Sequence, residues 1–250
     1  MIDSIAEPVL PGALLQIRGL SHAYGEGPDQ VLALRHVDLD LLVGERLAVM
    51  GRSGSGKTTL LNILAGLERL TTGRMIVGGH DLTGMRRRHR EAYRRRMVGY
   101  VWQQPEAGLL MGLTVLQNVL VPMLGERGTQ LDRINAAIGL LDGMRLGDWL
   151  YHTPEQMPPN ETQRLAVAVA LANRPHLLLA DELTARLDWP AARDLLGDIG
   201  SLLGNLGTAA IIVTHDPRVA RYVDRTIMIR DGVAVAAAGE LAAEAQGRTW

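Results

Sequence analysis

Apolar and polar positions alternate through residues 14–20 and 31–42, the period-2 pattern of half-buried antiparallel strands. A mostly apolar run at 46–50 reads as a buried strand and 51–56 as a loop. The period then changes: Leu60, Leu61, Ile63, Leu64 and Leu67 line one face of a helix expected over 57–66. Residues 73–82 predict a strand turned at Gly78-Gly79, 84–96 an arginine-rich helix, and 98–102 another strand. From about 104 to 156 the pattern is helical and loop-rich, which predicts an inserted helical lobe. Further helices are expected over 160–173 and 190–206, the second with Pro190 in its first turn. Buried strands are expected at 176–180 and 209–213, with 225–230 and 233–238 closing the sheet. Strands alternating with helices predict an α/β fold with a largely parallel sheet. There are no internal repeats, and low complexity is confined to 234–245.

Composition narrows the picture. A chain of 250 residues, 47% hydrophobic, suits one large domain or one domain with an inserted lobe. The net charge of −1 lacks the basic excess of a dedicated nucleic-acid binder, so no nucleic-acid partner is expected. With no cysteine, disulfides and thiolate metal sites are excluded. The first eight residues lack a basic segment followed by an apolar stretch, so no signal peptide is expected. No run reaches the roughly 18 apolar residues of a membrane span. Any membrane role must therefore come through a partner. Of the 26 basic residues only Lys57 is lysine. The arginines of 86–88 and 94–96, interrupted by Glu91, read as a solvated helix face.

Lys57 sits in Gly51-Arg52-Ser53-Gly54-Ser55-Gly56-Lys57-Thr58, which matches G-x-x-x-x-G-K-[ST] in full. The segment follows a predicted strand and opens a predicted helix, the context the motif requires. Glycines let backbone N–H groups wrap phosphate, and the helix N-terminus adds partial positive charge. Lys57 should reach the β- and γ-phosphates and the Thr58 hydroxyl should coordinate Mg²⁺. Gly51, Ser53, Gly54, Ser55, Gly56, Lys57, Thr58 and Thr59 are thus the candidate site for ATP with magnesium.

Two more strands end in polar residues. Leu177-Leu178-Leu179-Ala180 runs into Asp181 and Glu182. At the carboxyl end of a strand these acids reach the ligand crevice of an open α/β sheet. Asp181 is placed to hold the magnesium shell, and Glu182 to polarise an attacking water as general base. Ile211-Ile212-Val213 runs likewise into Thr214, His215 and Asp216, placing His215 near the γ-phosphate.

Together these segments resemble the ATP-binding cassette (ABC) ATPases, over residues 14–235. The resemblance implies a P-loop NTPase (RecA-like) core with an antiparallel β subdomain and an inserted α-helical subdomain. Its expected divisions are 1–103, about 104–160, and 161–250. It implies that Tyr24 stacks on adenine, and that Gln103 touches Mg²⁺ and relays nucleotide state to the helical lobe. It also implies that Leu187-Asp188 forms the D-loop and His215 is the switch histidine. Residues 109–119 look like the corresponding segment of lipoprotein-releasing and macrolide-exporter-type ATPases, with Gln117 replacing a usual Glu and Trp102 a usual Phe. Such a protein is expected to work with transmembrane permease subunits, at the cytoplasmic face of the cell membrane.

One motif departs from the family. Aligned on Gln163-Arg164, Met157-Pro158-Pro159-Asn160-Glu161 replaces all five residues of the L-S-G-G-Q signature. In the family that segment binds the γ-phosphate held by the opposite subunit. Prolines have no N–H to donate, and Glu161 adds negative charge. Asn160 with Gln163 three residues on reads as a capping box, which predicts that the helix starts at Asn160, about two residues later than usual. A second departure is Leu183, where the family usually has Pro after the catalytic Glu. The expectation is a heterodimer, favoured over a homodimer, with a second ABC ATPase supplying an intact signature. Two alternatives stay open: a soluble ABC ATPase, and a regulatory protein that binds ATP with little hydrolysis.

Overall fold

The computed structural model describes residues 11–25, 27, 30–125 and 128–236. The expectations for the first eight residues and for 237–245 lie outside the described residues. Two sheets organise the chain. In the first, β1 (Ala13–Tyr24) pairs antiparallel with β2 (Val31–Leu42) and with β4 (Thr72–Val77). β4 turns through Gly78-Gly79 into β5 (His80–Asp81), as the sequence predicts. Leu15 and Ile17 of β1 and Val37, Leu39 and Leu41 of β2 are buried, the period-2 face expected of half-covered strands.

The second sheet has the order β10-β9-β3-β8-β7-β6. It comprises β3 (Arg46–Met50), β6 (Val98–Val101), β7 (Leu177–Asp181), β8 (Ala209–Thr214), β9 (Arg225–Arg230) and β10 (Val233–Ala236). All neighbours are parallel except β9 and β10, which form a hairpin. Its interior strands are buried on both faces, and successive side chains part company. Leu177 and Leu179 of β7 pack with Ile63, Leu64 and the first sheet. Leu178 and Ala180 pack with Val167, Leu171 and Ile199 on the other face.

Among the described residues six α-helices complete the fold: α1 (Lys57–Leu64), α2 (Arg87–Met97), α3 (Val115–Leu120), α4 (Gln130–Gly143), α5 (Pro159–Leu171) and α6 (Trp189–Leu206). The arginine-rich α2 buries only Tyr93 and Met97, so most of its arginines face water, as expected. The helical segment between β6 and β7 joins the core: Val115, Val119, Leu140 and Leu141 share a cluster with Leu165 and Leu178. Gln117 has a local role here. Its Oε1 accepts the Thr114 N–H at 2.9 Å, and its own N–H donates to Thr114 Oγ1 at 3.2 Å, a full capping box.

The start of α5 corrects one expectation. The N-cap is Pro158, not Asn160, and no side chain caps the helix. The first helical bond runs from the Thr162 N–H to the Pro158 carbonyl at 3.0 Å. Gln163, which the capping box would have turned back toward Asn160, is buried. The prolines explain the difference. Pro159 enters the first turn with φ already near the helical value and no N–H to leave unpaired. Pro158, preceding a proline, is held extended, with φ −61° and ψ 157°.

α5 is tied to its neighbours by charge. Arg164 donates to Asp198 of α6 at 2.6 Å and to the Met144 carbonyl at the end of α4 at 3.2 Å. Arg145 holds the other Asp198 oxygen at 2.8 Å. The Arg164 and Asp198 side chains are 11% and 14% exposed, so the pair lies largely out of water. Removing one partner leaves the other desolvated. Arg164→Ala is expected to destabilise the fold by about 2–3 kcal/mol, short of the full cost of a broken buried pair because Arg145 remains. Urea denaturation of the two proteins measures the difference.

Candidate functional site

Four parallel strands deliver the site. β3, β6, β7 and β8 end at the same edge of the sheet, and the chain leaves each with a polar segment. After β3 come Gly51 to Gly56. Here glycine is required twice. A Cβ on Gly51 would sit 2.3 Å from the Ile229 carbonyl oxygen, and one on Gly56 2.4 Å from that of Ala33. Gly56 also has φ 105°, where a side chain is strained. Lys57 is buried at the start of α1, and its Nζ donates to the Gly51 and Arg52 carbonyls, each at 2.8 Å. The ammonium is thus held inside the curve of the loop.

The Thr58 hydroxyl donates to Asp181 Oδ2 at 3.0 Å, joining two segments 123 positions apart. Burial pushes the Asp181 carboxyl above its ordinary value, with the neighbouring Glu182 adding to the effect and Thr58 and Lys57 opposing it. Glu182 has φ 50°, uncommon for a residue other than glycine. Its N–H donates to the Val213 carbonyl at 2.9 Å, which secures the turn. Glu182 Oε2 lies 2.8 Å from His215 Nδ1. Strain of this kind gathers at functional sites, where surrounding structure holds it. Leu183, the departure next to Glu182, is buried against the second core cluster.

These groups surround one cavity of about 680 Å³. Tyr24, Gly51, Ser53, Gly54, Gly56, Lys57, Thr58, Thr59, Gln103, Asp181, Glu182 and His215 all line it. Ser55 does not. It lies behind the loop, where its N–H donates to Arg52 and its carbonyl accepts from Gly232. Tyr24, at the end of β1, donates its hydroxyl to Glu68 Oε2 at 2.6 Å. Burial and the bond to Glu68 raise its phenol above the ordinary value.

Six lining residues were not singled out from the sequence: Val31, Leu32, Ala33 and Arg35 on β2, and Asp231 and Gly232 between β9 and β10. Asp-Gly between two strands is a two-residue hairpin signal, so the turn was readable. Its place was not. Gly232 donates to the Ser55 carbonyl at 3.1 Å and accepts from the Arg35 N–H at 2.8 Å, pinning the glycine loop to β2. Val31 pairs with Tyr24 across the β1–β2 ladder, which brings apolar surface beside that ring.

The arrangement suits a nucleoside triphosphate with a divalent cation. It offers a glycine loop too close-packed for side chains, a buried ammonium, and a hydroxyl–carboxylate pair of hard oxygens. It also offers an aromatic ring at the rim. Comparisons with known proteins agree. Residues 34–185 match the family described as ABC transporter. The lipoprotein-releasing system ATP-binding protein LolD of Pseudomonas fluorescens is 38% identical over 224 residues, covering 90% of this chain and 98% of that protein. The macrolide export ATP-binding/permease protein MacB of Rhodopirellula baltica is 36% identical over 222 residues, 88% of this chain but 32% of that protein. Among solved structures, a dimeric post-hydrolysis state of the ATP-binding cassette MJ0796 bound to ADP and Pi superposes with a TM-score of 0.80. It is 31% identical, covering 90% of this chain and 99% of that one.

A raised carboxyl has a definite consequence for stability. Folded Asp181 holds its proton more tightly than the unfolded chain, so ionising it costs stability as pH rises above the ordinary value of 3.8. Asp181→Asn cannot ionise and can still accept the Thr58 bond. It is expected to melt at a higher temperature than the parent at neutral pH, with the advantage vanishing below about pH 4. In the same protein, magnesium-dependent tightening of ATP binding is expected to be lost. Thermal melts across pH and nucleotide titrations with and without Mg²⁺ test both halves.

Proposed function

The chain belongs to the ABC transporter family of ATPases, and on that premise we propose that it is the ATP-hydrolysing motor of a membrane complex that pairs it with a second, different ATPase. The ATP site is carried by one observation: the Thr58–Asp181 bond closes the glycine loop against the end of the strand that leads into Glu182, which meets His215. In this reading Tyr24 stacks on the base and the loop N–H groups with Lys57 hold the phosphates. Thr58, Asp181 and Gln103 would hold a magnesium ion, which would supply charge neutralisation to the phosphates. Glu182 takes the proton of the attacking water, and His215 orients the Glu182 carboxylate through Oε2.

The heterodimer rests on the start of α5. In the first turn Pro159 has no N–H, which leaves only Asn160 and Glu161 to offer unpaired backbone donors. The Glu161 carboxylate stands in the same turn, its Oε2 buried without a hydrogen-bond partner. An anionic phosphate brought to this end by a second subunit meets a carboxylate rather than a hydroxyl and amides. Two copies of this chain would carry the defect in both shared sites. One copy paired with an intact signature keeps the Lys57 site competent.

The relatives named as lipoprotein-releasing and macrolide-export proteins point to permease subunits as the further partners. A groove of about 430 Å³ between β6, α2 and the helical segment, lined by Arg94, Trp102, Val121 and Leu124, is the surface that fits them. Among the described residues no helix is long and apolar enough to cross a membrane. In this reading attachment at the cytoplasmic face runs through those subunits. The divisions of the chain at about 104 and 160 follow the same scheme, with the helical part as the element that senses both partner and nucleotide.

The degenerate signature also favours a second reading, a sensor that binds ATP and barely turns it over. Hydrolysis separates the two. The purified chain alone is expected to turn over slowly, and a co-expressed ATPase with an intact signature to raise the rate. Glu182→Gln in that complex is expected to lower kcat by about 100-fold or more. Vigorous turnover by the chain alone refutes the heterodimer, and an inert complex supports the sensor.

A further inference from the structure

At the rim of the cavity lies a cluster of side chains centred on Glu68. Tyr24 Oη donates to Glu68 Oε2 at 2.6 Å and lies 3.3 Å from Thr59 Oγ1. Glu68 is itself held at one oxygen and approached at the other. Asn62 Nδ2 donates to Oε1 at 3.0 Å, and His22 Nε2 stands 3.4 Å from Oε2. The Glu68 N–H also donates to the Asn62 carbonyl at 3.2 Å, closing the turn that follows α1. Asn62 is held in turn by the Tyr100 hydroxyl, 3.4 Å from its Oδ1. The His22 ring meets the Tyr24 ring edge-on at 4.7 Å and 85°.

We propose that Glu68 is a positioning residue for nucleotide recognition: it anchors the Tyr24 hydroxyl so that the ring is already set to receive the base of the triphosphate. The proposal rests on the reading of Tyr24 as the base-stacking residue and adds what fixes that residue. A tyrosine on a strand end has two side-chain torsions, and its ring swings unless its tip is tied. Here the backbone of β1 fixes one end and the Glu68 carboxylate the other, with His22 against the ring edge. Tyr24 as a whole is 44% exposed, so packing alone does not immobilise it. The ordering cost is met before the nucleotide arrives, and the surplus appears as affinity. The same hydroxyl reaches Thr59, next to Thr58, so the ring is registered against the phosphate loop. Glu68 touches neither base nor phosphate. Its effect must therefore fall on the base and spare the phosphates.

The test compares dissociation constants of the full chain for Mg-ATP and for Mg-tripolyphosphate, which has phosphates and no base. Glu68→Ala and Tyr24→Phe each remove the bond from one side. Each is expected to weaken ATP about five-fold, a modest preorganisation effect, and to leave tripolyphosphate unchanged. The double variant should be no worse than Tyr24→Phe, which removes the bond to Glu68 together with the contact to Thr59. Glu68→Gln keeps an acceptor and should bind ATP nearly as the parent does. Tyr24→Ala calibrates the assay. If it leaves the preference for ATP intact, the base-stacking reading fails and the positioning role with it. If Tyr24→Ala loses that preference while Glu68→Ala and Tyr24→Phe keep it, base stacking stands and the role of Glu68 is overturned. Equal weakening of both ligands by Glu68→Ala also overturns it, as does additivity in the double variant.

Discussion

The parallel register of four strands is the constraint on which the site depends. Met50 pairs with Thr214, Asp181 with Val213, and Val101 with Ala180. The ends of β3, β8, β7 and β6 are therefore level, and the loops that follow them open on one edge. Side chains alternate along a strand, so a one-residue slip of β7 would exchange its two faces and carry Asp181 away from Thr58. The three buried leucines and the alanine of β7 prevent such a slip, because each face packs into a different core cluster. Packing remote from any ligand thus sets the distance between the hydroxyl and the carboxylate.

Against that rigid edge the site holds groups the fold would not choose for stability. Asp181 is a carboxyl whose burial opposes its charge, and Glu182 occupies a left-handed backbone conformation. Lys57 is a buried ammonium satisfied by two carbonyls. Each is compensated locally, by Thr58, by the Glu182 N–H bond to Val213, and by the glycine loop. The Asp231-Gly232 turn closes the arrangement from behind by pinning Ser55 and β2 together. Ser55, though inside the motif, thereby belongs to the support of the loop and not to its cavity face.

At the start of α5 two local rules compete over the same residues. Asn160 and Gln163 have the spacing of a capping box, while Pro158-Pro159 have the backbone of a helix entry. The prolines prevail because their torsions are fixed before any hydrogen bond forms, whereas a cap must turn the Gln163 side chain back toward Asn160. Gln163 is instead buried beside Arg164, whose bonds to Asp198 and Met144 seat the helix. However it opens, the helix stays locked to α4 and α6.

Read alone, the sequence determines the α/β order of elements, the glycine loop with Lys57 and Thr58, and the acids at the end of β7. These are legible because hydrophobic period and turn chemistry are local properties, written within a few residues of where they act. The strand at 225–230 and the Gly78-Gly79 turn stand where the pattern places them for the same reason. Only the tertiary structure decides what requires distant segments to meet. It sets Glu68 beside Tyr24, 44 positions away, and the Asp231-Gly232 turn behind the phosphate loop. It also turns Ser55 away from the cavity. No local pattern encodes these, since each depends on strand register and on which face of a helix the core claims.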